Sequence, residues 1–264
     1  MPPLSSSSPP SPSTRDSVVA ALRAAGCVFA EEEAELILAA ARTPGELAVL
    51  VDRRAGGLPL ELVVGWAEFR GLRIVVEPGV FVPRRRTGFL VEQALVQVPD
   101  ASVVVDLCCG SGAVGAALAS ALGPVELHAA DLDPAAVRCA RRNVGGQVHQ
   151  GDLFTALPDD LRGRIDILAA NVPYVPTDEV GLLPAEARDH EPRTALDGGA
   201  DGLDVLRRVA TEAPAWLAPG GCVLVETSER QAAAALETFA ASGLAPRLAV
   251  SEELYANVVI GVRE

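Results

Sequence analysis

SVVVDLCCGSGAVG, residues 102–115, decides the fold of this 264-residue chain. Its first half, SVVVDL (102–107), is a continuous apolar run of the kind found in a strand buried on both faces. The second half places Gly110, Gly112 and Gly115 in a GxGxxG spacing that opens a helix through Leu122. Downstream the alternation repeats. ELHAAD (126–131) reads as a second strand and Pro134 starts a helix to Asn143. QVHQ (147–150) and RIDILAAN (164–171) read as strands three and four. A helical stretch over 201–218, interrupted near Pro214, leads to GCVLVET (221–227). Helix 229–242 and the segments LAPRLAV (244–250) and NVVIGVR (257–263) complete the chain. Strands alternating with helices at this length predict an α/β fold with a doubly wound parallel sheet. The last two strands are joined too closely for a crossover, so the final strand is expected to run antiparallel.

Towards the N-terminus the pattern changes. Residues 1–14 hold five Pro and six Ser without an apolar core, and read as a disordered tail, not a signal peptide. Residues 15–25 put Val18, Val19, Leu22 and Ala25 on one helical face. EEEAELILAAAR (31–42) is acidic at its start and basic at its end, as the helix dipole prefers. Thr43-Pro44-Gly45-Glu46 fits a capping box opening a third helix. The organisation expected is a small helical domain over 15–65, a connecting hairpin and helix over 66–100, and an α/β domain over 101–264.

Composition excludes several chemistries. The 22 basic residues are all arginine, which removes Schiff-base and Walker-type lysine chemistry. A net charge of −13 disfavours stable nucleic-acid binding. No apolar run reaches a membrane span. Five cysteines without a CxxC pair predict reduced thiols, a cytoplasmic location and no metal site. Three scattered histidines argue against a His-based triad.

The glycine turn alone suits a dinucleotide, S-adenosylmethionine or no ligand. Asp106 favours S-adenosylmethionine, because a carboxylate there suits an ammonium group and repels a pyrophosphate. Asp131, 19 residues beyond Gly112, stands where a ribose-binding acid is expected. Asn171-Val172-Pro173-Tyr174 follows the fourth strand directly, at the sheet edge where ligands bind. It resembles the [Asn/Asp]-Pro-Pro-[Tyr/Phe] motif of methyltransferases acting on conjugated nitrogens. Such a nitrogen is a poor nucleophile because its lone pair is delocalised. The Asn171 side-chain oxygen and the Val172 carbonyl, accepting its N–H bonds, would aim the lone pair at a methyl donor. The Tyr174 ring would pack on the flat group.

Taken in order, residues 58–92, DLCCGSG (106–112), GDLFTALP (151–158), NVPYVP (171–176) and EPRTALDGGADGLDVLRR (191–208) resemble the HemK/PrmC family. Its members are protein-(glutamine-N5) methyltransferases that modify the GGQ glutamine of peptide-chain release factors. The resemblance implies a seven-stranded, Rossmann-like class I methyltransferase sheet behind a helical domain, with S-adenosyl-L-methionine as cofactor and a protein substrate. It assigns Asp106, Leu107, Cys108, Cys109 and Gly110 to the methionine end of the cofactor. Asp131 takes the ribose, and Asp152 with Leu153 flanks the adenine. Phe81, Asn171, Val172, Pro173 and Tyr174 form the acceptor site, with Asn171 also touching the cofactor. Glu191, Pro192 and the Gly198-Gly199 turn are scaffold. Three departures stand on the acceptor side: Val172 replaces the family's proline, Pro83-Arg84-Arg85-Arg86-Thr87-Gly88 replaces PRPxTE, and the helical domain is shorter than the family's bundle. An adenine-N6 methyltransferase, a small-amide N-methyltransferase and a non-catalytic cofactor-binding module are the competing readings. Residues 151–204 hold 12 acids and four arginines, a net of −8 around the proposed acceptor site.

Overall fold

The structure, a computed structural model, describes residues 12–264. The chain divides after Gly65 into two compact units. The first comprises α1 (Pro12–Ala24), α2 (Ala30–Ala40), α3 (Pro44–Ala55) and α4 (Leu60–Val64). Helix α1 begins at Pro12, inside the stretch expected as tail; residues 1–11 of that stretch lie outside the described residues. Val18, Val19 and Leu22 pack with Ala34 and Ile37, whereas Ala25 is exposed beyond the helix end. Helix α2 keeps its acidic first turn but stops at Ala40 without a basic last turn. Arg42 lies past it, and its main-chain N–H donates to Glu46 Oε2 at 2.9 Å. Thr43 caps α3 by accepting the Glu46 N–H at 3.1 Å. The Glu46 carboxylate thus turns back one residue further than a regular capping box would take it. Inside the unit, Arg54 donates to the buried Glu33 carboxylate at 2.6 Å.

The second unit opens with a hairpin, β1 (Trp66–Phe69) and β2 (Leu72–Val75), and helix α5 (Gly88–Gln97). Seven strands follow: β3 (Val103–Leu107), β4 (Glu126–Asp131), β5 (Gln147–Gln150), β6 (Ile165–Ala170), β7 (Leu217–Thr227), β8 (Ala245–Ser251) and β9 (Ala256–Val262). They lie in the order β5-β4-β3-β6-β7-β9-β8, parallel except for β9, which is antiparallel to both neighbours. The strand order reverses between β3 and β6, the place where open α/β sheets bind ligands.

Burial explains why β3 reads as an unbroken apolar run. Val105 and Leu107 pack on one face with α9 (Asp204–Trp216) and α10 (Ala232–Ala241). Val104 packs on the other with α5 and α6 (Ala113–Leu122). Helix α7 (Pro134–Asn143) joins β4 to β5, and the short α8 (Ala185–His190) lies between β6 and α9. The interruption expected near Pro214 does not occur. Pro214 lies two residues from the end of α9 and removes a single donor, the one that would serve the Ala210 carbonyl, so the helix runs on to Trp216. Trp216 anchors that last turn, fully buried and stacked on Phe154 with centroids 5.5 Å apart. Among the described residues no helix is long and apolar enough to cross a membrane.

Candidate active site

At the carboxyl edge of β3, β4 and β6 the second unit encloses a cavity of about 790 Å³. Strand register brings the chemistry together: Asp106 near the end of β3 pairs with Ala129 of β4 and Ala169 of β6. Asp106 is 1% exposed, and its Oδ2 accepts the Gly115 N–H of α6 at 2.8 Å. Burial pushes its pKa up to about 8, against the opposing pull of the Gly115 bond; nearby Asp131 adds to the rise. Asp131 closes β4 with both oxygens committed, Oδ2 to the Gly110 N–H and Oδ1 to the Asp133 N–H, each at 2.9 Å. Burial raises this carboxyl as well. The turn between β3 and α6 needs Gly112, which caps the helix at φ +78° with Val144 where a Cβ would be. Two non-glycine residues lining the cavity, Cys108 and Leu153, also hold positive φ, at 54° and 49°. Such strain concentrates where ligands are gripped. The Cys108 thiol, raised by burial, is no nucleophile here. Asp152 accepts from Arg208 at 2.7 Å at the cavity's outer side.

The other end of the cavity is built on the turn after β6. Asn171 lines it, and its Oδ1 is buried without a hydrogen-bond partner. An unmade bond of this kind costs about 1–3 kcal/mol and marks an acceptor waiting for a donor. Val172 is buried in the main core behind the turn. The Tyr174 hydroxyl donates to Glu226 Oε1 at 3.1 Å and accepts from Arg86 Nη2. Arg86 Nε donates to the same Glu226 oxygen at 3.0 Å. Burial first, and Glu226 second, push the Tyr174 phenol up to about 12. Its main-chain carbonyl accepts from Gln231 Nε2 at 2.8 Å. Phe81 lines the cavity under the Arg84 guanidinium, 4.7 Å from its centroid. Arg84 in turn donates to the buried Glu191, whose other oxygen accepts the Val82 N–H at 3.0 Å. The Thr87 Oγ1, also on the cavity wall, is buried without a partner.

Of the residues expected at the site, all but one line this single cavity. Leu107 does not: its side chain points into the core shared with α9, because β3 is buried on both faces. The Arg84–Arg86 run is no free basic patch, since Glu191 and Glu226 neutralise two of its three charges. The acidic surround is also weaker than its sequence count. Arg84, Arg207, Arg208 and Arg230, all outside residues 151–204, pair with Glu191, Asp201, Asp152 and Glu179, while Glu126, also outside, takes up Arg164, so the local net charge falls from −8 to −5. Two of the three histidines are not scattered, while His190 stands apart on α8. Parallel pairing of β4 with β5 stacks His128 on His149, Nδ1 to Nε2 at 3.0 Å, away from the cavity. Sequence reasoning missed Glu226, Gln231 and the separate role of Arg86. The available signals were an acid inside the apolar GCVLVET run and the Ser228-to-Gln231 capping box.

Comparison with known proteins gives three results. The family model "Methyltransferase small domain" matches residues 71–182. Similar proteins include a release factor glutamine methyltransferase of Geobacter sulfurreducens, 39% identical and covering 83% of this chain and 79% of that one. Another with the same description, from Streptomyces coelicolor, is 43% identical over 69% of this chain and 67% of its own. A 4-amino-L-phenylalanine/4-methylamino-L-phenylalanine methyltransferase of Streptomyces pristinaespiralis is 36% identical, covering 73% and 69%. Among solved structures, a methyltransferase from Pyrococcus furiosus superposes with a TM-score of 0.56 at 16% identity, over 74% of this chain and 90% of that one. That likeness concerns the fold.

Proposed function

The chain belongs to the release factor glutamine methyltransferase family, and we propose that it methylates a glutamine side-chain amide nitrogen in a peptide-chain release factor, using S-adenosylmethionine. The observation carrying this reading is the Asn171 Oδ1, a buried acceptor without a partner on the wall of the cavity.

The residues of the cofactor end fit the cationic ligand. Asp106 is a buried carboxyl whose proton is held up to about pH 8 by desolvation, and a facing ammonium would relieve that cost. Asp131 is fixed by two backbone N–H groups and keeps lone pairs for ribose hydroxyls. S-adenosylmethionine supplies a methyl group made electrophilic by its sulfonium sulfur. This chain supplies orientation. Asn171 Oδ1 and the Val172 carbonyl would accept the two amide N–H bonds, turning the nitrogen lone pair towards the donor and stabilising positive charge on nitrogen. Val172 in place of proline preserves that carbonyl. Tyr174 and Phe81 wall the planar amide.

The test is incubation with isotopically labelled cofactor and a release factor, followed by mass spectrometry of the GGQ peptide. A labelled N5-methylglutamine is expected. Asn171→Ala should abolish transfer and leave cofactor affinity within a few-fold, and normal turnover in that variant would overturn the mechanism. A second reading, an aromatic amine acceptor, is favoured by the Streptomyces pristinaespiralis relative. Transfer to 4-amino-L-phenylalanine with an unmodified release factor would select it.

A further inference from the structure

We infer that Arg86 and Glu226 clamp Tyr174, and so act as positioning residues for the methyl acceptor. The inference rests on reading the Asn171–Tyr174 turn as the acceptor site.

The ring is held at both ends. Its hydroxyl lies in a closed triangle, accepting from Arg86 Nη2 and donating to Glu226 Oε1, while Arg86 Nε donates to that same oxygen. Its main chain is fixed by Gln231 Nε2, which also donates to the Asp201 carbonyl at 2.8 Å. Glu226 is 3% exposed and its second oxygen has no partner, so Arg86 is what compensates the buried charge. Without Arg86 the phenol faces an unbalanced carboxylate and is drawn towards it. The acids of the cofactor end depend on other groups: Asp106 on Gly115, Asp131 on Gly110 and Asp133. Loss of the clamp should therefore reach the acceptor and spare the cofactor.

Arg86→Met, Glu226→Gln and the double variant test this in two ways. The first reads Tyr174 directly, by NMR of protein carrying ring-labelled ¹³C-tyrosine. The chain has two tyrosines, so Tyr174→Phe assigns the signal. The Tyr174 ring resonance should shift or broaden in Arg86→Met and remain altered in the double variant. The second reads methylation of the release factor. Arg86→Met should lower kcat by up to about 100-fold, the scale of a misplacement near 1 Å, with cofactor Kd unchanged. The double variant removes both charges, so its melting temperature should recover while kcat does not. Arg86→Lys restores the charge but not the two-pronged donor, and should recover melting temperature with only part of kcat. Recovery of kcat together with stability in the double variant would overturn the clamp, as would an unchanged Tyr174 resonance in Arg86→Met. A wild-type protein that leaves the release factor unmodified refutes the functional reading instead, and the resonance alone then decides the clamp.

Discussion

An unfolded aspartate loses its proton near pH 3.9, whereas the buried Asp106 keeps its proton up to about pH 8. Between those values the folded chain binds more protons than the unfolded one, so this residue's contribution to stability is lost as pH rises from about 4 to about 8. Urea denaturation of the cofactor-free protein at pH 5 and pH 8 should show the fall, and Asp106→Asn should reduce it. Equal slopes in both proteins would contradict the assignment. Thr87 makes the opposite kind of prediction. Its buried hydroxyl has no partner, so Thr87→Val removes an unsatisfied group at nearly constant volume. Its melting temperature should equal or exceed that of the wild type; a fall of several degrees would mean the hydroxyl is satisfied. Tyr174, raised to about 12, should remain a phenol well above neutrality. Wild type and Tyr174→Phe should therefore show the same tyrosinate absorbance at pH values up to about 10, the ordinary tyrosine value.

Segments 171–177 and 196–202 work as one element although neither is a regular strand. Val175 donates to Leu196 and Gly198 donates back to Val175, at 2.9 and 2.8 Å, while Thr177 donates to Gly199 at 2.9 Å. Gly202 has φ +77° and its missing Cβ would fall on the Tyr174 carbonyl and the Gln231 amide. Gly202→Ala should therefore cost about 2 kcal/mol or more by crowding and strain. It should also depress methyl transfer more than cofactor binding, measured by denaturation and by isothermal titration. The elements themselves were legible in the sequence, since β3 and β6 need apolar residues on both faces and Asn171 follows β6 directly. What could not be read were partnerships set by register over long separations. Arg86 meets Glu226 from 140 residues away, and His128 meets His149 only because β4 and β5 pair in parallel. Leu107 shows the complementary limit. A motif marks a stretch as cofactor-binding, but strand alternation decides which side chains face the core.

At the scale of the molecule, charge and its pairing decide which partners can approach. The net charge of −13 is not spread as a bare field over the acceptor side, because arginines from outside residues 151–204 offset part of its local excess. Nor does the Arg84–Arg86 run offset the remainder, with two of its three guanidiniums spent on buried carboxylates. Of the three arginines of that run, a polyanion reaching Asn171 would find only Arg85 exposed without a carboxylate partner among the described residues, and a surface still negative overall. Clustered basic side chains bind nucleic acid without sequence preference by neutralising its phosphates and releasing the condensed counterions into solution, with dissociation constants of about 10⁻⁴–10⁻⁶ M. With so few to offer, this chain should bind duplex RNA more weakly than about 10⁻⁴ M even at low salt. Fluorescence anisotropy against a labelled duplex at two salt concentrations measures this. Binding in the micromolar range that weakens steeply with salt would show that a basic surface exists and would reopen a nucleic-acid acceptor.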